Sequence, residues 1–162
     1  MTTLQLADEA ATQALARALA ASGPQPAVVF LHGDLGAGKS TLARAWLRAL
    51  GVTGPVRSPT YTLVERYRLP AGGEAVHLDL YRIGDAGELE FLGLDGLEPA
   101  LWLVEWPDRG RAGLPSPDLD IRLALSGSGR SAELVAGGAA GRRWLAALAS
   151  AGELPAHPEP KP

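Results

Sequence analysis

The segment GDLGAGKS, which begins at Gly33, combines three glycines, a lysine and a serine at a spacing that could bind phosphate. Gly33, Gly38, Lys39 and Ser40 fit the pattern G-x-x-x-x-G-K-[ST], in which backbone N–H groups surround phosphates, the lysine reaches the terminal ones and the hydroxyl contacts magnesium. Of the chain's 15 lysines and arginines, only Lys39 and Lys161 are lysine. Because lysine is a compact charge and arginine a wide fork, lysine at this position indicates a tight anion pocket.

The flanks of this segment predict a strand before it and a helix after it. AVVFLH, residues 27–32, is a short apolar, β-branched run that suits a buried parallel strand. The segment after Lys39 has a 3.6-residue apolar period and ends at Gly51, a helix stop; its inner face would carry Leu42, Ala45, Trp46 and Ala49. A helix starting there adds its positive dipole end to the anion site. The alternative is a glycine-rich turn that binds no ligand.

Two acidic residues at predicted strand ends could hold magnesium or orient a water molecule. Asp79 ends VHLD and Glu105 ends LWLVE, so each would emerge near the phosphate loop if its strand neighbours residues 27–32. The alternative for either is an acid paired with an arginine at a strand end. Glu105 is the stronger candidate, because four apolar residues precede it and an unpaired buried acid would be costly without a metal.

A hydroxyl-rich segment, VRSPTYTLVE at residues 56–65, lies between the predicted phosphate-loop helix and the next strand. Pro59 stiffens its backbone, while Thr60, Tyr61 and Thr62 present hydroxyls. Loops in this position sense the terminal phosphate and its metal in many nucleotide switches. An ordinary β-turn is an equally good interpretation of the same residues.

The rest of the chain alternates helices with strands and predicts one α/β domain over residues 1–150. The segment PAGG, residues 70–73, joins the predicted strands 60–69 and 74–82, and its length suits an antiparallel hairpin. The predicted helices are 8–22 (capped by Asp8), 87–94 and about 140–150, and the remaining predicted strands are 60–69, 74–82, 100–106, 118–125 and 131–136. Proline in residues 151–162 predicts a disordered C-terminal tail.

Composition excludes several classes of function. The chain has no cysteine, and its three histidines are scattered, so any metal would be held by oxygen atoms. A net charge of -3 argues against a protein that grips nucleic acid by itself. The sequence shows neither a membrane-length apolar run nor a signal-peptide pattern, which predicts a cytoplasmic protein without membrane partners.

Five segments in order, GDLGAGKSTL, RSPTYTLVERY, HLDLYR, ELEFLGLD and LVEWPDRG, resemble the TsaE (YjeE) family. Members of that family are small bacterial ATPases of tRNA threonylcarbamoyladenosine synthesis, and the resemblance runs from about residue 8 to residue 130. It implies a P-loop NTPase-like, three-layer α/β domain with a mixed parallel and antiparallel sheet. Such a sheet agrees with the predicted hairpin.

The resemblance also implies roles for particular residues, with ATP and Mg²⁺ as the cofactors. Lys39, Glu105, Asp79 and Thr60 would be the catalytic residues, with Thr60 as a switch-like phosphate sensor. Ser40, Glu105 and Asp79 would hold the metal, and it stays open which acid is the direct ligand. Trp106 would lie near the nucleotide or a partner, or in the core. The implied nucleotide-binding residues are Gly33, Leu35, Gly36, Ala37, Gly38, Lys39, Ser40, Thr41, Gly129 and Arg130.

In that family the protein assists a transferase and is not the transferase itself. The resemblance implies TsaB and TsaD as partners, with tRNA contacted through them, and ATP hydrolysis that is weak without them. A GTP switch is excluded because the chain has no guanine-reading N-K-x-D stretch. The alternatives left open are an ATP-gated adaptor that does not hydrolyse ATP, and a small-molecule P-loop kinase.

Overall fold

The computed structural model describes residues 1–151, which form one seven-stranded sheet and three α-helices. The strands are β1 (Thr2–Leu6), β2 (Ala27–His32), β3 (Val64–Arg68), β4 (Glu74–Asp79), β5 (Leu101–Glu105), β6 (Leu119–Ser126) and β7 (Gly129–Ala136). The helices are α1 (Glu9–Ser22), α2 (Lys39–Ala49) and α3 (Ala139–Ala151). Within the described residues, no helix combines the length and apolar character that a membrane span needs.

The sheet is mixed, with a parallel centre and antiparallel edges. Its strand order is β1-β7-β6-β2-β5-β4-β3. β2 pairs in parallel with β5 and β6, and β4 pairs in parallel with β5, so four parallel strands share one carboxyl edge. β3 and β4 form the predicted antiparallel hairpin, while β6, β7 and β1 form the antiparallel ribbon on the other side. The carboxyl edge of parallel strands is where open α/β sheets bind ligands.

Two apolar cores cover the two faces of the sheet, which confirms the layered α/β architecture. All three α-helices pack on one face, where Trp46 of α2 meets Trp144 of α3 edge to face with ring centroids 5.8 Å apart. The opposite core, around Phe30 and Val104, belongs to the other face of the sheet. It is covered by loops and short 3₁₀ segments, the longest of which is Ala86–Leu92.

Several predicted element bounds are wrong. β1 was not predicted at all, and the predicted helix over 87–94 is a 3₁₀ segment that ends at Leu92 and is capped by Gly93, which has φ 70°. The predicted strand 60–69 begins only at Val64, because the N–H of Leu63 bonds to the carbonyl of Pro59 and closes a turn over residues 60–63. β4 ends at Asp79 and not at residue 82.

The other predicted elements agree with the structure to within one or two residues. Asp8 caps α1 as predicted, because its carboxylate accepts a hydrogen bond from the N–H of Ala11 at 2.9 Å. The hairpin between β6 and β7 is tighter than predicted, with β7 beginning at Gly129. Of the predicted tail, residues 152–162 lie outside the described residues, and Ala151 is the last residue of α3.

Candidate functional site

The glycine-rich loop connects the end of β2 to the start of α2, at the carboxyl edge of the sheet. Gly36 and Gly38 have φ values of 81° and 108°, which side-chain-bearing residues rarely adopt. Gly33 is needed for a second reason, since a Cβ there would stand 2.5 Å from the carbonyl oxygen of Leu123 in β6. The loop therefore has the strand–loop–helix setting that the sequence predicted, and it is held closely against the neighbouring strand.

Lys39 is buried beneath this loop, with only 5% of its surface exposed. Its ammonium group donates hydrogen bonds to the carbonyl oxygens of Gly33 and Asp34, and it lies 4.4 Å from the centre of the Trp106 ring. Burial lowers the pKa of Lys39, while the carboxylates of Glu105 and Asp79 oppose that shift. The ammonium group of Lys39 therefore lies in a confined pocket beside two acids.

Ser40 and Glu105 lie side by side at the start of α2 and the end of β5. Parallel pairing places Glu105 next to Leu31 of β2, and the residue is only 2% exposed. The Ser40 hydroxyl is 3.3 Å from Oε1 and 3.4 Å from Oε2 of Glu105. Adjacent oxygen ligands of an octahedral Mg²⁺ are about 3 Å apart, so these two groups fit neighbouring positions on such an ion.

Asp79 ends β4 directly beside Glu105, because the two residues are partners in the β4–β5 register. It is nearly buried, and it accepts a hydrogen bond from the N–H of Tyr81 at 3.0 Å. Burial raises the pKa of Asp79; the Tyr81 hydrogen bond opposes the shift and the Glu105 charge adds to it. The two acids that were predicted from separate strands therefore share one edge.

Most of the predicted site residues line one cavity of about 250 Å³ at this edge. It brings together Thr60 from the hydroxyl-rich loop, both acids, and Arg130 from β7; its predicted lining residues are Leu35, Gly36, Gly38, Lys39, Ser40, Thr41, Thr60, Asp79, Glu105 and Arg130. The hydroxyl of Thr60 is paired with that of Ser58 at 2.7 Å. The hydroxyl-rich loop therefore contains a turn, and its Thr60 lines the cavity.

Three predicted nucleotide-binding residues do not line this cavity. Gly33 contributes through its carbonyl bond to Lys39, and Ala37 is the loop residue that is buried in the apolar core. Gly129 lines an adjoining cleft of about 260 Å³, which shares Gly38, Thr41 and Arg130 with the first cavity. Arg130 donates to the carbonyl of Gly36 at 3.2 Å and so ties β7 to the phosphate loop.

Trp106 also belongs to the cavity, in an uncommon backbone conformation. Its φ and ψ of 55° and 49° are left-handed, which is unusual for a bulky residue. The ring packs against Tyr81, with centroids 4.9 Å apart, and covers Lys39. The side chain borders the cavity and also packs against the second core, as the core interpretation predicted.

Sequence reasoning missed His77. It lies in β4, two residues before Asp79, and its Nε2 is 2.6 Å from Oε2 of the Glu105 carboxylate. The signal was available, because residues two apart in a strand point to the same face. The VHLD pattern places His77 on the same face as Asp79. Once β5 is known to be the neighbouring strand, His77 can be expected close to the Glu105 carboxylate.

The donor set fits Mg²⁺ only as a partner of phosphate. Within residues 1–151, no cluster of three or more His, Cys, Asp or Glu side chains is arranged to hold a metal ion. Mg²⁺ is commonly bound through one or two carboxylates together with substrate phosphates and water, not by an all-protein cage. The Ser40 and Glu105 oxygens beside an open phosphate loop match that pattern.

Comparison with known proteins agrees with these observations. The family model described as "Threonylcarbamoyl adenosine biosynthesis protein TsaE" matches residues 6–132. The tRNA threonylcarbamoyladenosine biosynthesis protein TsaE of Haemophilus influenzae is 41% identical over 125 residues, which cover 76% of this chain and 78% of the relative. The protein of the same name from Bacillus subtilis is 38% identical over 121 residues, covering 72% and 73%.

A solved structure shows the same fold. The crystal structure of Bacillus subtilis YdiB superposes with a TM-score of 0.76 at 27% identity, covering 93% of this chain and 95% of that one. The expected P-loop NTPase-like fold with a mixed sheet is thereby confirmed. By its sequence match over most of its length and by its fold, this chain belongs to the TsaE family of tRNA threonylcarbamoyladenosine biosynthesis proteins.

Proposed function

We propose that this protein binds ATP with Mg²⁺ and hydrolyses it, as an accessory to the formation of the threonylcarbamoyl group on the adenosine beside the tRNA anticodon. TsaB and TsaD homologues would carry out the transfer and hold the tRNA in the cytoplasm. One observation carries the proposal: Lys39, Ser40 and Glu105 line a single cavity under a glycine loop whose backbone is open to a ligand. Phosphoryl transfer needs this combination of cation, hydroxyl and carboxylate.

The phosphate-binding role rests on the loop and the first turn of α2. The N–H groups at a helix start, together with the loop amides, make a cradle for phosphate oxygens. Gly36 leaves that cradle open, because nothing lies within 4 Å of a Cβ placed there. Lys39 would exchange its bonds to the loop carbonyls for bonds to the terminal phosphates.

The hydrolytic role rests on the acids. Ser40 and Glu105 would hold the metal, which when bound neutralises charge on the phosphate oxygens. Asp79 stands next to Glu105 with a raised pKa, caused first by burial, so it is suited to orient a water molecule or accept its proton. Thr60, which also lines the cavity, would contact the terminal phosphate.

The nucleoside end of ATP would occupy the adjoining cleft. That cleft begins at Gly38, Thr41 and Arg130 of the phosphate cavity and extends between the start of α1 and the start of β7. Arg130 stands between the two spaces, where its guanidinium would face the phosphates next to the ribose. Binding across both spaces would explain why residues of β7 accompany the loop in the family resemblance.

The test is reconstitution of tRNA modification with purified TsaB and TsaD, a preformed activated threonylcarbamoyl donor, and an excess of tRNA over enzyme. Wild-type protein is expected to support several rounds of threonylcarbamoyl transfer per TsaD, whereas Lys39→Ala and Glu105→Ala should not. An ATP-gated adaptor predicts a different pattern, in which Glu105→Ala, or a non-hydrolysable ATP analogue with the wild type, still supports repeated rounds. That result would replace the ATPase proposal with the adaptor.

A further inference from the structure

His77 lies in the middle of β4. Only 2% of the residue is exposed, and the register places it beside Leu103, one pair behind Asp79 and Glu105. Because side chains in a strand alternate between the two faces, His77, Asp79 and Glu105 all point to the helical face of the sheet. The imidazole therefore lies directly behind the acids of the cavity without lining it.

The imidazole has one strong partner. Its Nε2 is 2.6 Å from Oε2 of Glu105, and both side chains are 3% exposed. Its Nδ1 is buried without a hydrogen-bond partner among the described residues. A proton on Nδ1 would be a buried donor with no acceptor, which is costly, so the geometry favours the tautomer that carries its proton on Nε2 and donates it to Glu105.

Glu105 is consequently held from two sides. His77 binds Oε2 from behind, and Ser40 approaches both carboxylate oxygens from the front, at 3.3 Å and 3.4 Å. A carboxylate with only one hydrogen bond could rotate about its last torsion, which is a broad, roughly two-fold rotor. The bond from His77 removes that freedom and leaves Oε1 directed to the Ser40 hydroxyl.

We propose that His77 is a positioning residue that orients the Glu105 carboxylate for magnesium in the nucleotide site. This inference rests on the proposed ATP–Mg²⁺ function and adds to it a residue that does not touch the ligand. Groups that hydrogen-bond to metal ligands orient those ligands, and their loss typically reduces metal affinity or activity about 10- to 100-fold. His77 acts only through Glu105, so its loss should change the effect of the metal and leave the phosphate loop unchanged.

The test compares His77→Leu, which fills much of the space without a donor, with His77→Gln, whose side-chain N–H₂ can replace the Nε2 donor. The dissociation constant of a non-hydrolysable ATP analogue is measured by calorimetry on the full chain, once with Mg²⁺ and once with EDTA. The ratio of the two constants reports how much the metal strengthens binding. A thermal unfolding midpoint for each variant records structural damage separately.

His77→Leu is expected to reduce that ratio by up to about 10- to 100-fold, with the constant in EDTA little changed, and His77→Gln should restore most of it. A ratio in His77→Leu equal to that of the wild type would overturn the inference, as would equal loss in both variants. If the wild-type ratio is itself one, the ATP–Mg²⁺ proposal fails, and this inference with it. The two failures can be told apart, because the wild-type ratio is measured without any variant.

Discussion

The hydroxyl of Ser40 lies 3.3 Å from Oε1 of Glu105, although the two residues are 65 positions apart in the chain. Ser40 lies in the first turn of α2 and Glu105 ends β5, so the contact exists only because β2 and β5 pair in parallel and end together. This relationship makes the hydroxyl and the carboxylate a single unit facing the phosphate loop.

Replacing the Ser40 hydroxyl should therefore separate nucleotide binding from metal binding. Ser40→Ala removes one of the two groups proposed to hold the metal, so we expect Mg²⁺ to strengthen nucleotide binding about ten-fold less, in line with the loss of one hydrogen-bonding partner of a charged group. Ser40→Thr keeps the hydroxyl and should behave like the wild type. Calorimetry with and without Mg²⁺ measures both; an unchanged metal effect in Ser40→Ala would contradict the assignment.

Thr60 should affect turnover more than binding. Its place on the cavity wall suits contact with the terminal phosphate, which ADP lacks, so Thr60→Ala should lower ATP hydrolysis about 10- to 100-fold while leaving ADP affinity unchanged. Thr62→Ala is the matched control, because Thr62 lies in the same loop but donates to Glu65 at 3.0 Å. Equal hydrolysis by the two variants would contradict a role for Thr60 in ATP hydrolysis.

Two glycines of the loop should differ in their tolerance of a methyl group. A Cβ at Gly33 would clash with the Leu123 carbonyl oxygen at 2.5 Å and would also strain the backbone at φ 148°. Gly33→Ala should therefore lower the free energy of unfolding by about 2 kcal/mol or more. Gly36→Ala meets open space and should cost only the backbone strain at φ 81°, about 1–2 kcal/mol. Urea denaturation measures both; a Gly36→Ala loss larger than that of Gly33→Ala would contradict the packing of the loop against β6.

Asp79 should make the metal-free protein less stable as the pH rises. Burial raises the pKa of Asp79 above its value in the unfolded chain, so the native state binds more protons between the two pKa values, and unfolding becomes easier as the pH increases through that range. Asp79→Asn removes this cost and keeps an acceptor for the Tyr81 N–H. The variant should have a higher urea midpoint than the wild type at pH 7, with the difference shrinking as the pH falls toward the ordinary aspartate pKa of about 3.9. A difference that grows on acidification would have the wrong sign.

The parts of the site that could be predicted from sequence are those encoded locally. Gly33, Lys39 and Ser40 lie in one short segment whose glycines, lysine and flanking strand and helix patterns all indicate the same structure. Glu105 was predicted because four apolar residues precede it and an unpaired buried acid would be costly without a metal.

The parts that could not be predicted depend on pairing across the sheet. β1 has only five residues and is defined by its antiparallel partner β7, more than a hundred positions away. His77 became a candidate only when β4 and β5 were found side by side. The turn over residues 60–63 resembles a strand in composition, and it is set by the bond from Leu63 to Pro59.

The most direct test of the central claim is Mg²⁺-dependent release of phosphate from ATP by the purified protein, alone and with TsaB and TsaD. We expect slow turnover alone and faster turnover with the partners. Lys39→Ala and Glu105→Ala should abolish both rates, whereas Arg142→Ala, an exposed change on α3, should keep them. Absence of turnover in every mixture, with ATP still bound, or equal turnover in Glu105→Ala, would contradict the account.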